Sequence, residues 1–256
     1  MVAGTAAFLL PDRFTPAAFA TLLLVAGLFI GCNYGWGLWL ARRLGLAWEA
    51  RQRVRESVER VGTQCGLQPR GVYEMAWAKH NAAALPFPQA LVFTQPAVDV
   101  LTDPELDSLC AHEIAHLAEA GPVRWARVAG SFVFFPLAAT RPLIGTFGWV
   151  GLLLAFAGAY LLAHAALALS RRMEERADRL ATECEADPGI YARMLEKLHE
   201  ASLIPAVLFG RRGTHPDLYD RLLAAVWSRL TRVPSRPPSG RNSLRSCRRR
   251  CSRPFW

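Results

Sequence analysis

His112 and His116 stand four residues apart, with Glu113 beside the first, in the run Ala111-His112-Glu113-Ile114-Ala115-His116. On an α-helix, positions i and i+4 share a face, so both imidazoles project the same way. Two ring nitrogens placed so can reach one Zn²⁺ at about 2.0–2.1 Å. A carboxylate next to them can take a proton from water activated at the metal. The chemistry this spacing implies is hydrolysis of a peptide bond.

The motif needs a helix, and the residues before it supply the start. Val100-Leu101-Thr102-Asp103-Pro104-Glu105-Leu106 offers Thr102 or Asp103 as N-cap, Pro104 in the first turn and acids near the positive end. Leu106, Leu109, Cys110, Ile114 and Leu117 then form an apolar helical stripe. A catalytic zinc usually takes three protein ligands and keeps a position open for water. The third is sought further along, in Ser170-Arg171-Arg172-Met173-Glu174-Glu175-Arg176-Ala177-Asp178. Adjacency alone does not separate Glu174 from Glu175. Glu174 and Asp178 are i and i+4, so they share a helical face.

Three separated pieces resemble the M48 family of membrane zinc metallopeptidases, which includes heat-shock-induced quality-control proteases and CAAX prenyl proteases. They are His112-Glu113-Ile114-Ala115-His116, Ser170-Arg171 with Glu174 to Asp178, and Thr214-His215-Pro216 with Arg221-Leu222. A fourth, Asn81-Ala82-Ala83-Ala84 followed by Ala90-Leu91-Val92-Phe93-Thr94, is similar to the family's N-A-x-A turn and edge strand. Two departures are visible: Glu175 stands where an aromatic is common, and no glycine follows the N-A-x-A stretch. The resemblance implies one Zn²⁺ per chain held by His112, His116 and Glu174, with Glu113 as the base. It implies that Asp178 orients a ligating imidazole, a role with its own physical reason. It offers His215 as a donor to the oxyanion, although Thr214-His215-Pro216-Asp217 also reads as a plain helix cap. It places Asn81, Ala82, Leu91, Val92 and Phe93 against the substrate, whose backbone would add a strand to Ala90–Thr94.

Composition adds a membrane. The chain has 256 residues, 52% of them hydrophobic, which is too apolar for an ordinary soluble domain. Residues 14–41 carry no charge, and these 28 residues would make a helix of about 42 Å, enough for a roughly 30 Å bilayer core. Tyr34, Trp36 and Trp39 sit at its end, as interfacial aromatics do. A signal peptide would begin with basic residues and have a shorter core, so a retained anchor is expected. A second apolar region, 128–170, is broken by Arg141 alone. Thr140-Arg141-Pro142 reads as a turn. If His116 and Glu174 meet at one metal, the chain between them crosses an even number of times. A hairpin with Arg141 at its tip is expected, and two buried or interfacial pieces are the alternative. Arg42, Arg43, Arg51, Arg53 and Arg55 follow the first span, and Arg171 and Arg172 follow the second region. The positive-inside rule then puts the active site in the cytoplasm, on a multi-pass protein of the inner (plasma) membrane.

The expected fold is mainly α with a small β-sheet, a zincin-like membrane metallopeptidase. Its parts are an anchor (1–41), a catalytic domain (42–232) with an apolar hairpin at 124–170, and a tail (233–256). Trp48 to Val61 reads as an amphipathic helix joining anchor to core. The net charge is +9, and eight arginines without an acid lie from residue 232 onward, which suits a disordered tail or attraction to anionic lipid. Expected partners are a polypeptide substrate and the lipid bilayer. No specific nucleic-acid binding is expected, because no aromatic interleaving or fold signature accompanies the arginines. Six dispersed cysteines without a C-x-x-C pair suit thiols in a reducing compartment. An antibiotic-sensor type of membrane metalloprotease and a non-catalytic membrane scaffold are the competing functions.

Overall fold

The computed structural model describes residues 12–119, 121–203 and 221. The tail expected at 233–256 and the Thr214-His215-Pro216 segment lie outside the described residues. Two compact units emerge, one from the residues up to 37 with 120–170, the other from 38–119 with 171 onward.

The first unit holds most of the apolar sequence. Helix α1 (Pro16–Asn33) is capped by Thr15, whose hydroxyl accepts from the Ala18 N–H at 3.2 Å. The single helix expected over 14–41 is broken after α1. Gly35 adopts φ 93°, a left-handed conformation that glycine takes without strain, and a second helix, α2 (Trp36–Arg43), begins. Further along, the short first leg expected of the hairpin is three pieces. They are α6 (Gly121–Gly130), a 3₁₀ turn (Ser131–Phe134) and α7 (Phe135–Ala138). Residues 140–142 are not a turn either. They open α8 (Thr140–Cys184), where Pro142 is tolerated because a first-turn N–H has no helical partner to lose. Arg141 pairs with Asp12 at 2.6 Å. Ala18, Leu22 and Ala139 are buried together, with Phe14 and Leu143 against them.

Helix α8 bends once, at Gly148 (φ 66°). From 149 to 184 no further residue departs from helical backbone angles. Its apolar part exposes Trp149, Val150, Leu153, Leu154, Tyr160 and Leu161. Among the described residues it is the one helix long and apolar enough to cross a membrane, or one of two if α1 and α2 count as a span.

The second unit is a small mixed sheet with helices. Strands β1 (Ala47–Glu49), β2 (Gly71–Met75), β3 (Ala82–Leu85) and β4 (Ala90–Thr94) lie in the order β1-β2-β4-β3. The β2–β4 pair is parallel and the other two are antiparallel. Trp48 therefore sits opposite Glu74 in a strand, and the amphipathic helix expected from it starts later, as α3 (Gln52–Cys65). The carboxylate of Glu74 fixes that junction by accepting from the Arg51 N–H at 2.7 Å and from Arg51 Nε at 2.9 Å. Every residue of β4 is buried, as its unbroken apolar run requires of an inner strand. After the short α4 (Gln95–Val100), the chain enters α5 (Asp103–Leu117). Val54, Val58 and Val61 of α3, Leu91 and Phe93 of β4, and Leu106, Leu109, Cys110, Ile114 and Leu117 of α5 form one core. Ala181 of α8 joins it, with Tyr191, Met194 and Leu195 of α9 (Ile190–Ala201).

Candidate metal centre

Helix α5 is fixed at its N-terminal end. Thr102 is its N-cap, and the Thr102 N–H donates to Glu105 Oε2 at 2.8 Å in a capping box. Glu105 is buried and also receives Lys197 Nζ of α9 at 2.8 Å. The stripe then buries the helix, so the next face carries His112, Glu113 and His116, each at 7% exposure or less.

The last part of α8 lies across that face. His112 Nε2 and His116 Nε2 are 3.3 Å apart. Glu174 Oε2 is 3.6 Å from the first, and Glu174 Oε1 is 3.5 Å from the second. Two donors about 2.0–2.2 Å from one tetrahedral ion stand roughly 3.3–3.5 Å from each other. The donor set is two imidazoles and one carboxylate, the kind that holds catalytic zinc. The residues therefore fit a metal ion, and the three form a buried group that could hold one. Glu175, the neighbour that the sequence alone did not separate, is exposed.

The other ring nitrogens are anchored. His112 Nδ1 lies 3.2 Å from Asp178 Oδ1 and 3.3 Å from the Tyr191 hydroxyl. The Tyr191 hydroxyl also donates to Asp178 Oδ1 in a short bond. Arg221 grips both oxygens of Asp178, Nε to Oδ2 at 2.9 Å and Nη2 to Oδ1 at 2.7 Å, and Nη2 also donates to Tyr191 Oη at 2.7 Å. His116 Nδ1 lies 2.9 Å from Glu119 Oε1. Both rings thus turn Nε2 toward Glu174.

This packing moves the titrations. Burial alone would raise the Asp178 pKa, but hydrogen bonds from His112 and Arg221 outweigh it and hold the carboxyl at about 2. Burial would lower that of His112, but its bonds to Asp178 and Glu174 raise it to about 9 with no metal present. Burial also pushes the Tyr191 phenol well above its usual value, which keeps it a neutral donor.

The family whose pattern fits this chain, peptidase family M48, is matched over residues 49–227. The chain belongs to that family. M48 membership implies metallopeptidase activity, the family is zinc-dependent, and the buried His112, His116 and Glu174 are a group that could hold the metal. No curated protein matches the chain.

Within this M48 fold, several residues read from the sequence fall elsewhere. Leu91, Val92 and Phe93 are 8% exposed or less, inside a strand hydrogen-bonded on both sides. An added substrate strand cannot pair with β4, because β2 and β3 already occupy both of its edges. The edge strands are β1 and β3; β3 is the edge beside β4, and Ala82 lies on it. Asn81 is exposed and closes the β3–β4 ladder, its carbonyl accepting from the Thr94 N–H at 2.9 Å. His215 lies outside the described residues. The sequence reading assigned nothing to Glu119 or Tyr191, and no role to Arg221. Glu119 stands i+3 from His116, so helical spacing could have found it; Tyr191 carries no such signal.

Proposed function

We propose that this M48 peptidase is a membrane-bound zinc endopeptidase acting in membrane protein quality control. What supports it most is the pairing at each histidine: Nε2 faces Glu174, while Nδ1 is held by a carboxylate. His112, His116 and Glu174 would hold the ion, which when bound supplies a Lewis acid for the scissile carbonyl and brings the pKa of water toward 7. Glu113, buried beside His112 on α5, takes the proton of the attacking water on its carboxylate and delivers it to the leaving amine. Asp178 keeps the His112 ring turned, and Arg221 with Tyr191 keeps Asp178 turned. The substrate backbone extends the sheet at β3.

The apolar parts of α1 and α8 lie in the bilayer, and the site faces the cytoplasm. If 149–170 crosses the membrane, 121–147 returns the chain to the side of His116. The breaks in α6–α7 and at Gly148 suit a bent segment there better than a straight one.

The test is zinc content and casein cleavage on detergent-purified protein. The wild type should carry one zinc per chain. Glu174→Ala should lose both metal and cleavage, whereas Glu175→Ala should keep both. Glu113→Gln should keep zinc and lose about 10²–10⁴-fold in rate. Full activity of Glu113→Gln, or a metal-free wild type, would overturn the proposal.

A further inference from the structure

Glu119 lies just beyond α5, whose last residue is Leu117, and its side chain is 1% exposed. We propose that Glu119 is a positioning residue of the metal centre, accepting the Nδ1 proton of His116 so that the Nε2 lone pair is turned toward Glu174 and His112. The inference rests on the zinc reading above and extends it to the second imidazole.

Two observations carry it. A neutral imidazole has one donor and one acceptor nitrogen, and its partner selects which is which. An ionised carboxylate only accepts, so Glu119 Oε1 at 2.9 Å assigns the proton to Nδ1. Nε2 then carries the lone pair, and it is the nitrogen that stands 3.5 Å from Glu174 Oε1 and 3.3 Å from His112 Nε2. The arrangement also repeats at His112, where Asp178 occupies the same position at Nδ1. The two carboxylates come from different elements. Asp178 lies on the ligand-bearing part of α8, whereas Glu119 follows α5 itself, so α5 orients its own second histidine.

The effect expected is on metal affinity before any effect on turnover. Removing a partner of this kind weakens metal binding by about 10–100-fold. The experiment uses full-length protein in detergent, with Zn²⁺ alone titrated against a competing chelator. Glu119→Gln keeps an acceptor oxygen and most of the volume; Glu119→Leu keeps bulk without an acceptor. The glutamine variant should bind zinc close to wild type, and the leucine variant about 10–100-fold more weakly. In parallel, ¹⁵N-histidine spectra of zinc-loaded wild type should show His116 protonated at Nδ1, which decides the matter even if the leucine variant does not fold. Equal affinity of the leucine variant and the wild type would overturn this inference alone, as would His116 bound through Nδ1. A wild type that takes up no zinc would overturn the zinc reading and this inference with it.

Discussion

Asp178 is the residue on which the histidine geometry converges. It faces His112 Nδ1 and takes a short hydrogen bond from Tyr191, and both its oxygens are gripped by Arg221. Arg221 is itself 8% exposed, so the pair is buried. Taking away Arg221 leaves Asp178 with His112 and Tyr191 alone, and breaking a buried pair costs up to about 3–5 kcal/mol. Arg221→Met should therefore lower unfolding free energy by up to that amount in urea titrations of metal-free protein. Tyr191→Phe removes one donor and keeps the ring in the core, so its cost should be nearer 1 kcal/mol. Equal losses in the two variants would mean that the ion pair adds nothing beyond packing.

At the scale of elements, the capping box of α5 ties helix stability to pH. Burial opposes ionisation of Glu105, but its hydrogen bonds with Lys197 and Thr102 prevail and lower its pKa. A carboxyl held below its unfolded value stabilises the fold above that value, about 4.5, and the contribution disappears as the pH falls through the folded one. Melting of chelator-treated protein should therefore drop between pH 6 and pH 3.5, and Glu105→Gln should drop less over that window. A second prediction concerns β3. Asn81 and Thr94 share a ladder bond, so alternation makes Ala83 and Leu85 the next residues bonded to β4. Ala82 and Ala84 then direct their backbone groups to the open edge. Ala84→Pro removes one outward N–H and spares the ladder. One lost hydrogen bond of about 0.5–1.5 kcal/mol should raise KM for a peptide substrate several-fold with little change in kcat. An unchanged KM would move the substrate away from β3.

For the whole molecule, the continuity of α8 is the central fact. A helix whose apolar half exposes Trp149, Leu153, Leu154 and Leu161 ends in the segment that carries Glu174 and Asp178. Apolar side chains exposed along such a length are costly in water at about 25 cal/mol per Å². The protein should therefore stay in the membrane pellet after alkaline carbonate washing. Leu153→Arg with Leu154→Arg should release it or abolish its accumulation, since each charge near a bilayer centre costs about 2.5–3.5 kcal/mol. Recovery of the unchanged chain in the carbonate supernatant would make α8 a helix of a soluble assembly.

The amino-acid sequence alone determined what depends on local period. His112, Glu113 and His116 share a helical turn, Leu106 to Leu117 give that helix its buried side, and the charge-free stretches are read by counting. Family resemblance carried the reading across the gap to Glu174 and Asp178, which the fold does bring to the histidines. Only the tertiary structure decided what depends on pairing between distant segments. Trp48 reads as helical, yet its backbone finds a partner in β2. Ala90–Thr94 reads as an edge strand, yet it lies between β2 and β3, because strand order depends on which segments dock and not on the pattern within any one of them. Thr140-Arg141-Pro142 has turn residues, but Pro142 fits equally well in a first helical turn. Tyr191 and Arg221 reach Asp178 across 13 and 43 residues of chain. No periodicity spans such distances, and only packing around one buried carboxylate brings those side chains together.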